Sequence, residues 1–487
     1  MLVEKQFRRR ALPVASETTV TDRPVESGWP ADGGNDPSGG ALVSTETVSP
    51  QPEARQSETQ AGRHSLPQAG PQRQPVPMRA GWWQEPLCLW FLSRMIVSAA
   101  LIVGSLLLPL QIDLRSDNPH AGAKPDLPAY FREYAQRPEQ FGKKPMLGVA
   151  VGGAWAPLAP FVSWDSIWFL SVAEVGYVIR PGLKAQQNLA FFPLFPLSIR
   201  GLNALGIPSV LGGVLIANLA TLLTAVCLYR LTGRLAGIKA ARWSCGSWLF
   251  FPSALFGSVA YADSLLALCG VLSLTALLSD RLLQTGWWAG LATAIRPPGL
   301  ALATSLIPAL FSRRWPVALI AGILGGSGIT AYFGYLWAIS GDPLLYPHII
   351  SQWRTETLGA KGPLVMLLSS IREYLLNLQI LIAGKPLFLF RSSHAWEPLL
   401  LTICLTLVPA VRRLGWGPLL SVLAMIWLPL SVGGVSSFGR YMWAMMPVFV
   451  VLGMKLSTSR WRWGWLTGSV VLLVWLSLLR GGGWEVI

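Results

Sequence analysis

The run Ser163-Trp164-Asp165-Ser166-Ile167-Trp168-Phe169-Leu170 sets a single carboxylate among aromatic and aliphatic side chains. An ionised carboxylate beside hydrocarbon is unfavourable unless it is paired, hydrated or working, so Asp165 is the first candidate for chemistry. Asp165, Trp168, Phe169 and Val172 recur at helical spacing, so the acid caps or begins an interfacial amphipathic helix with its aromatic side toward lipid. One reading makes Asp165 an N-cap, satisfied by backbone amides and chemically idle. The other makes it a proton acceptor, because an apolar boundary strengthens a carboxylate as a base for a hydroxyl proton. Ser163 competes for the capping position, which frees Asp165 for the second role.

Cations stand in comparable places. Arg296 lies inside an apolar run at a proline pair, where a guanidinium and freed backbone N–H groups meet. Such an arginine needs an anion, either a ligand phosphate or a carboxylate such as Asp263. Arg440 opens another apolar run at its outer end, which fits a ligand phosphate, with snorkelling as the structural alternative. Asp263 follows Tyr261 between two apolar runs; a helix cap or an Arg296 partner ranks ahead of acceptor binding for it. His348, Gln352, Trp353 and Arg354 share a polar loop suited to sugar hydroxyls or an anionic head group, although loop solvation alone accounts for His348.

The elements that must position these groups are read from hydropathy. Apolar runs suited to helices cover roughly 88–110, 207–229, 243–259, 263–279, 286–311, 315–339, 397–411, 415–432, 441–456 and 463–480, some too short to span ~30 Å alone. With the N-terminal segment cytoplasmic, the cytoplasmic connections hold Arg230, Arg234, Lys239 and Arg242, then Arg281, Arg313 and Arg314, then Arg412 and Arg413, then Lys455, Arg460 and Arg462. This is the positive-inside pattern, and it requires 286–311 to break at Arg296-Pro297-Pro298-Gly299 into two short helices returning to one side. The expected fold is an all-α polytopic membrane protein of about 11 transmembrane helices. Segments 111–206 and 340–396 then lie mainly outside as exoplasmic or interfacial helices. Asp165, Glu174, Asp263, Arg296, Asp342, His348, Arg354 and Arg440 all fall at or near that outer face, which argues for one site.

Composition agrees. Of 487 residues only 13% are charged, where a soluble globular chain carries about 25%, and mean hydropathy is +0.46. Residues 1–80 differ: rich in Pro, Gly, Gln, Ser and Thr, with nine basic and nine acidic residues, they are expected to be a disordered cytoplasmic tail preceding a membrane domain over 81–487. The net charge of +15 therefore belongs to the membrane part, scattered between apolar runs, which fits anionic lipid head groups and not nucleic acid. The first apolar run starts too deep for a cleavable signal peptide and reads as a signal anchor. Cys88, Cys227, Cys245, Cys269 and Cys404 stand singly without paired spacing, so neither a disulfide nor a metal site is expected, and no cofactor.

The order Trp164-Asp165-Ser166-x-Trp168, Ala173-x-x-Gly176-Tyr177 and Ala190-Phe191-Phe192-Pro193-Leu194-x-Pro196 resembles the PIG-V type mannosyltransferases and their bacterial relatives, members of the GT-C superfamily. Further elements follow in matching order over about residues 88–460: Phe251-Pro252-Ser253-Ala254 with Tyr261-Ala262-Asp263-Ser264, Arg296-Pro297-Pro298-Gly299, Gly341-Asp342-Pro343-Leu344 and Ser437-Phe438-Gly439-Arg440-Tyr441. Asp263 stands where the eukaryotic members carry Glu, and Pro297-Pro298 replaces a Ser-Asn pair, which leaves the acceptor open.

The resemblance implies a GT-C-like helical bundle on the cell membrane that moves a hexose, mannose by family, from a polyprenyl-phosphate donor to a lipid, glycan or protein hydroxyl on the exoplasmic face. Such transfer needs a base for the hydroxyl, cations for the departing phosphate and a water-poor groove for the lipid chain. Asp165 is the expected general base in an inverting single displacement. Arg296, Arg440 and Arg354 are the expected donor-phosphate ligands, and Trp164, Asn188, Tyr261, Asp263 and His348 the expected acceptor or sugar contacts. A lipid-linked sugar transporter or flippase is the main rival, since buried charges and broken helices also mark transport paths. It would place ionisable groups near mid-bilayer, whereas these gather at one face. A non-catalytic scaffold is the third reading, and it leaves the ordered polar motifs without a role.

Overall fold

The computed structural model describes residues 81–108, 120, 122–141, 143–146, 148–180, 185–353, single positions between 365 and 379, 397–432, 437–484 and 486. The expected tail over 1–80, Arg354 and most of 355–396 lie outside the described residues. The described residues form helices and no strand. In chain order the helices are α1 (Gln84–Leu107), α2 (Leu127–Gln136), α3 (Asp165–Val175), α4 (Leu194–Ala204), α5 (Ser209–Ala236), α6 (Ile238–Leu249), α7 (Asp263–Leu278), α8 (Leu282–Ile295), α9 (Leu300–Ala303), α10 (Ile307–Leu310) and α11 (Trp315–Ser340). They continue with α12 (Leu345–Trp353), α13 (Glu397–Val411), α14 (Trp416–Val432), α15 (Phe438–Ala444), α16 (Met446–Leu456) and α17 (Arg462–Gly481).

Four of these, α1, α5, α11 and α17, are long and apolar enough to cross a membrane. The expected count of about 11 crossings is not established, because several apolar runs are divided. Run 243–259 becomes α6 and a 3-10 turn over Pro252–Gly257; run 441–456 becomes α15 and α16, parted at Met445 before Pro447. The break expected within 286–311 is present. α8 ends at Ile295, Arg296 is extended at φ −159° and ψ 148°, and Pro297–Gly299 make a 3-10 turn. A residue before proline is driven out of the helical region, and the proline ring removes the N–H that would continue the ladder.

Small residues set how closely the long helices approach. A Cβ on Gly104 of α1 would collide with the Leu478 carbonyl of α17, and one on Gly481 with the Leu101 carbonyl. The two helices thus run side by side in the same direction, backbone against backbone, as small-residue crossings allow. α6 is tied to α15 by Trp248 and Trp443, whose rings stack at 4.8 Å and 2° while each indole N–H donates to the other residue's carbonyl at 2.9 and 3.0 Å. Arg94 on α1 is buried and donates to the Ala254 carbonyl and Ser258 Oγ, fastening the Pro252–Gly257 turn that leads to Tyr261 and Asp263.

α3 corrects the expectation of an interfacial helix with its aromatic side toward lipid. Every residue from Ser166 to Ala173 is buried. Trp168 stacks on Phe191 at 5.8 Å, and Phe169 meets Phe191, Phe195 and Tyr261 edge-on. The aromatic pattern fits protein as well as lipid, because both are apolar surroundings. The helix that begins with Asp165 is therefore a core element.

Candidate active site

The start of α3 is held in an unusual backbone conformation by groups distant in sequence. Trp164 sits at φ 57° and ψ −123°, a region L-residues enter only under constraint. Three hydrogen bonds supply it: Trp164 Nε1 donates to the Gly483 carbonyl at 3.2 Å, Arg480 Nη2 donates to the Ser163 carbonyl at 2.8 Å, and the Asp165 amide donates to Tyr261 Oη at 3.1 Å. Trp164 is the residue preceding the helix, Asp165 is its first residue, and no side-chain cap bond is made. The N-cap reading of Asp165 is set aside on that geometry. Its carboxylate, one-third exposed, lies 3.4 Å from Arg440 Nη1.

Arg440 reaches Asp165 because α15 brings it over the start of α7. Its Nη2 and Nε donate to Asp263 at 2.8 and 3.3 Å, and its guanidinium lies 4.7 Å from the Phe256 ring centre and 4.8 Å from that of Tyr261. Gly439, beside it, donates its amide to Glu397 at 2.5 Å, and a Cβ there would press on Ser253. Asp263 opens α7 without a side-chain cap bond and also accepts Arg296 Nη1 at 2.6 Å. Side-chain exposure is 3% for Asp263, 5% for Arg440 and 19% for Arg296. One buried carboxylate thus anchors two guanidinium groups, and one of these extends to the half-open carboxylate of Asp165. Neither snorkelling of Arg440 nor a helix-cap role for Asp263 describes this arrangement.

Asp165, Asp263, Arg296, Arg440 and Tyr261 are therefore brought together, and Trp164 adjoins them. Asn188 is placed elsewhere: it is fully buried, its oxygen accepts the Val178 amide at 3.0 Å, and its nitrogen donates to the Gly176 carbonyl at 2.9 Å and to Ser171 Oγ at 3.3 Å. Those bonds shape the chain leaving α3. His348 belongs to the α11–α12 junction, where its Nδ1 lies 3.0 Å from Asp342 Oδ2. Arg354 falls outside the described residues.

Sequence reasoning missed Arg480. It is 1% exposed, donates to both Ser163 and Tyr261 Oη, and stands over the Tyr261 ring at 5.0 Å. A signal was available, because Arg480 ends the last apolar run on the side opposite Arg460 and Arg462. That is the same departure from the charge pattern that singled out Arg440.

Helices apolar enough to cross a membrane and a buried acid–arginine cluster at the start of α3 describe a membrane protein with a polar site. Residues 152–321 match the family Mannosyltransferase (PIG-V), which supports the PIG-V-type mannosyltransferase resemblance and suggests membrane glycosyltransferase activity, with a lipid-linked sugar donor and an acceptor as its general partners. The matched stretch contains Asp165, Tyr261, Asp263 and Arg296, while Arg440 and Arg480 come from beyond it. No curated protein matches the chain.

Proposed function

We propose that this chain is a GT-C-type hexosyltransferase, a mannosyltransferase by its family, that uses a polyprenyl-phosphate-linked donor and an acceptor hydroxyl at the exoplasmic face. The observation that carries this reading is the placement of Asp165, a part-exposed carboxylate fixed by a buried Arg440 that Asp263 holds from behind. In a single displacement the acceptor oxygen bonds to the anomeric carbon while the bond from that carbon to the phosphate oxygen breaks. The hydroxyl proton passes to an Asp165 oxygen, and the electron pair leaves with the lipid phosphate, so the anomeric configuration inverts. Arg440 orients Asp165, and Arg296 and Arg440 lend positive potential to the departing phosphate. Burial against Phe256 and Tyr261 strengthens that potential by excluding water.

The test is transfer of labelled mannose from polyprenyl phosphate mannose in membranes, comparing the wild type with Asp165→Asn at matched expression. Loss of a positioned base lowers the rate by about 10²–10⁴-fold. Equal rates in the two proteins would remove the base assignment. Movement of the lipid-linked sugar across the membrane by purified protein, without transfer, would replace the enzyme by a transporter.

A further inference from the structure

Three arginines meet two carboxylates around Tyr261. Arg296 and Arg440 share Asp263, and Arg440 also reaches Asp165. Arg480 joins the cluster through Tyr261 Oη, to which it donates at 2.6 Å, yet among the described residues no carboxylate lies within ion-pair distance of it. Its Nε, buried, has no partner either, and neither has the buried Oγ of Ser163 beside it. A guanidinium 1% exposed and without an anion among the described residues is an unfavourable group that a bound anion would relieve.

The space for such an anion is adjacent. A cavity of about 510 Å³ is lined by Arg480, Ser163 and Trp164, by Lys124, and by Ile102 and Leu106 of α1, with the side-chain-free Gly481–Gly483 backbone completing its wall. One part is cationic and the other apolar. Ile102 and Leu106 are 45% and 77% exposed, so the apolar part continues onto the outer surface of a membrane-crossing helix. That combination fits a phosphate joined to a long hydrocarbon chain, with the phosphate at Arg480 and Lys124 and the chain passing along α1. Trp164 is both a wall of the cavity and the neighbour of Asp165, so a sugar on the phosphate would lie toward the acid.

We infer that this cavity seats the phosphate and the first hydrocarbon units of the lipid-linked donor, with Arg480 and Lys124 as its ligands; the inference rests on the transferase reading for the identity of that lipid. Arg296 and Arg440, already held by Asp263, then act on the phosphate as it departs and not as its resting anchor.

The experiment uses the full chain in lipid nanodiscs and a photoactivatable polyprenyl monophosphate that carries no sugar, so binding is read without catalysis. Labelling is expected on peptides around Ile102–Leu106 or Arg480–Trp484. Unlabelled polyprenyl phosphate should displace it, while the same concentration of polyprenol or of inorganic phosphate should not. Lys124→Gln, at an exposed position, should weaken binding about tenfold, and Arg480→Gln more, with partial recovery in Arg480→Lys. Ser105→Trp, which fills the cavity from an exposed position on α1, should abolish labelling and leave the thermal transition in place. Full affinity in both Lys124→Gln and Ser105→Trp, labelling elsewhere, or equal displacement by polyprenol or inorganic phosphate would each overturn the inference. The two readings separate cleanly. Labelling at the cavity in a wild-type protein that transfers no sugar would sink the transferase reading alone, and undiminished transfer by Ser105→Trp would sink the cavity assignment alone.

Discussion

Asp263 meets Arg440 through two hydrogen bonds, Nη2 to Oδ2 at 2.8 Å and Nε to Oδ1 at 3.3 Å, and the same Oδ1 accepts Arg296 at 2.6 Å. Both partners of the first pair are buried, so removing the carboxylate charge leaves two guanidinium groups facing a neutral acceptor. Breaking a buried pair in this way costs about 3–5 kcal/mol. Asp263→Asn is therefore expected to lower the thermal transition in detergent and to abolish transfer. Asp263→Glu, which keeps the charge, should recover part of both. An Asn variant as stable as the wild type would show that the cluster is not an anchor.

Arg296 should behave differently. Arg296→Ala leaves Asp263 bonded to Arg440, so its effect on stability is expected to be well below that of Asp263→Asn. Its effect on transfer should exceed that of Arg296→Lys, which keeps a cation near the departing phosphate but loses the planar fork. Donor-concentration curves for the two variants and the wild type check this. Three superimposable curves would exclude any action of Arg296 on the phosphate.

Much of this cluster was legible in the sequence because the signals are local. The hydropathy runs underlie α1, α5 to α11 and α13 to α17, whereas α2, α3, α4 and α12 fall in the two segments between runs; the proline pair marks the break at Arg296, and charge alternation groups Asp165, Asp263, Arg296 and Arg440 on one expected face. What was not legible depends on contacts between distant segments. Arg480 reads as the end of an apolar run until Ser163, 317 residues away, is seen accepting its hydrogen bond. The burial of α3 was hidden because its aromatic residues suit lipid and protein interior alike. Asn188 stands between aromatic motifs and invites a ligand role, yet its hydrogen bonds all serve the turn after α3.

Trp164 carries strain that the site keeps. At φ 57° and ψ −123° a side chain adds about 1–3 kcal/mol, and a glycine would relieve it. Trp164→Gly gives up the bond to Gly483 as well, so the two effects oppose each other in stability. The expected outcome is a thermal transition close to the wild type with transfer reduced at least tenfold, about 1.4 kcal/mol in the barrier. Normal transfer by this variant would mean that the tryptophan is dispensable to the site.

At the α11–α12 junction the Leu344 amide donates to Asp342 at 2.8 Å, and together with His348 it holds the Asp342 carboxyl below the usual carboxylate range. A depressed carboxyl stabilises the folded junction fully above its unfolded pKa of about 3.9 and loses that contribution as pH falls through the lower folded value. Protection of the Leu344 amide from hydrogen exchange, corrected for the intrinsic rate, should therefore hold from pH 7 to about pH 4 and fall below it. Asp342→Ala should show low protection throughout. A wild-type profile without that acid step would remove the carboxylate from the junction.

The contact between α1 and α17 ties the packing of the bundle to the site. Gly104 and Gly481 each let the opposing backbone approach so closely that a single methyl group would strike a carbonyl oxygen. Gly104→Ala and Gly481→Ala should each lower the thermal transition by an amount corresponding to about 1–3 kcal/mol, the usual result of overpacking a close contact. Because both force the same two helices apart, their effects should not add: the double variant is expected to lose less than the two single losses combined. Transfer should fall in all three, since moving the end of α17 takes Arg480 away from the Ser163 carbonyl and Tyr261 and frees the bond between Trp164 and Gly483. Thermal unfolding and transfer measured on the same preparations decide the point. Additive losses in stability with undiminished transfer would show that the helix crossing and the start of α3 are independent.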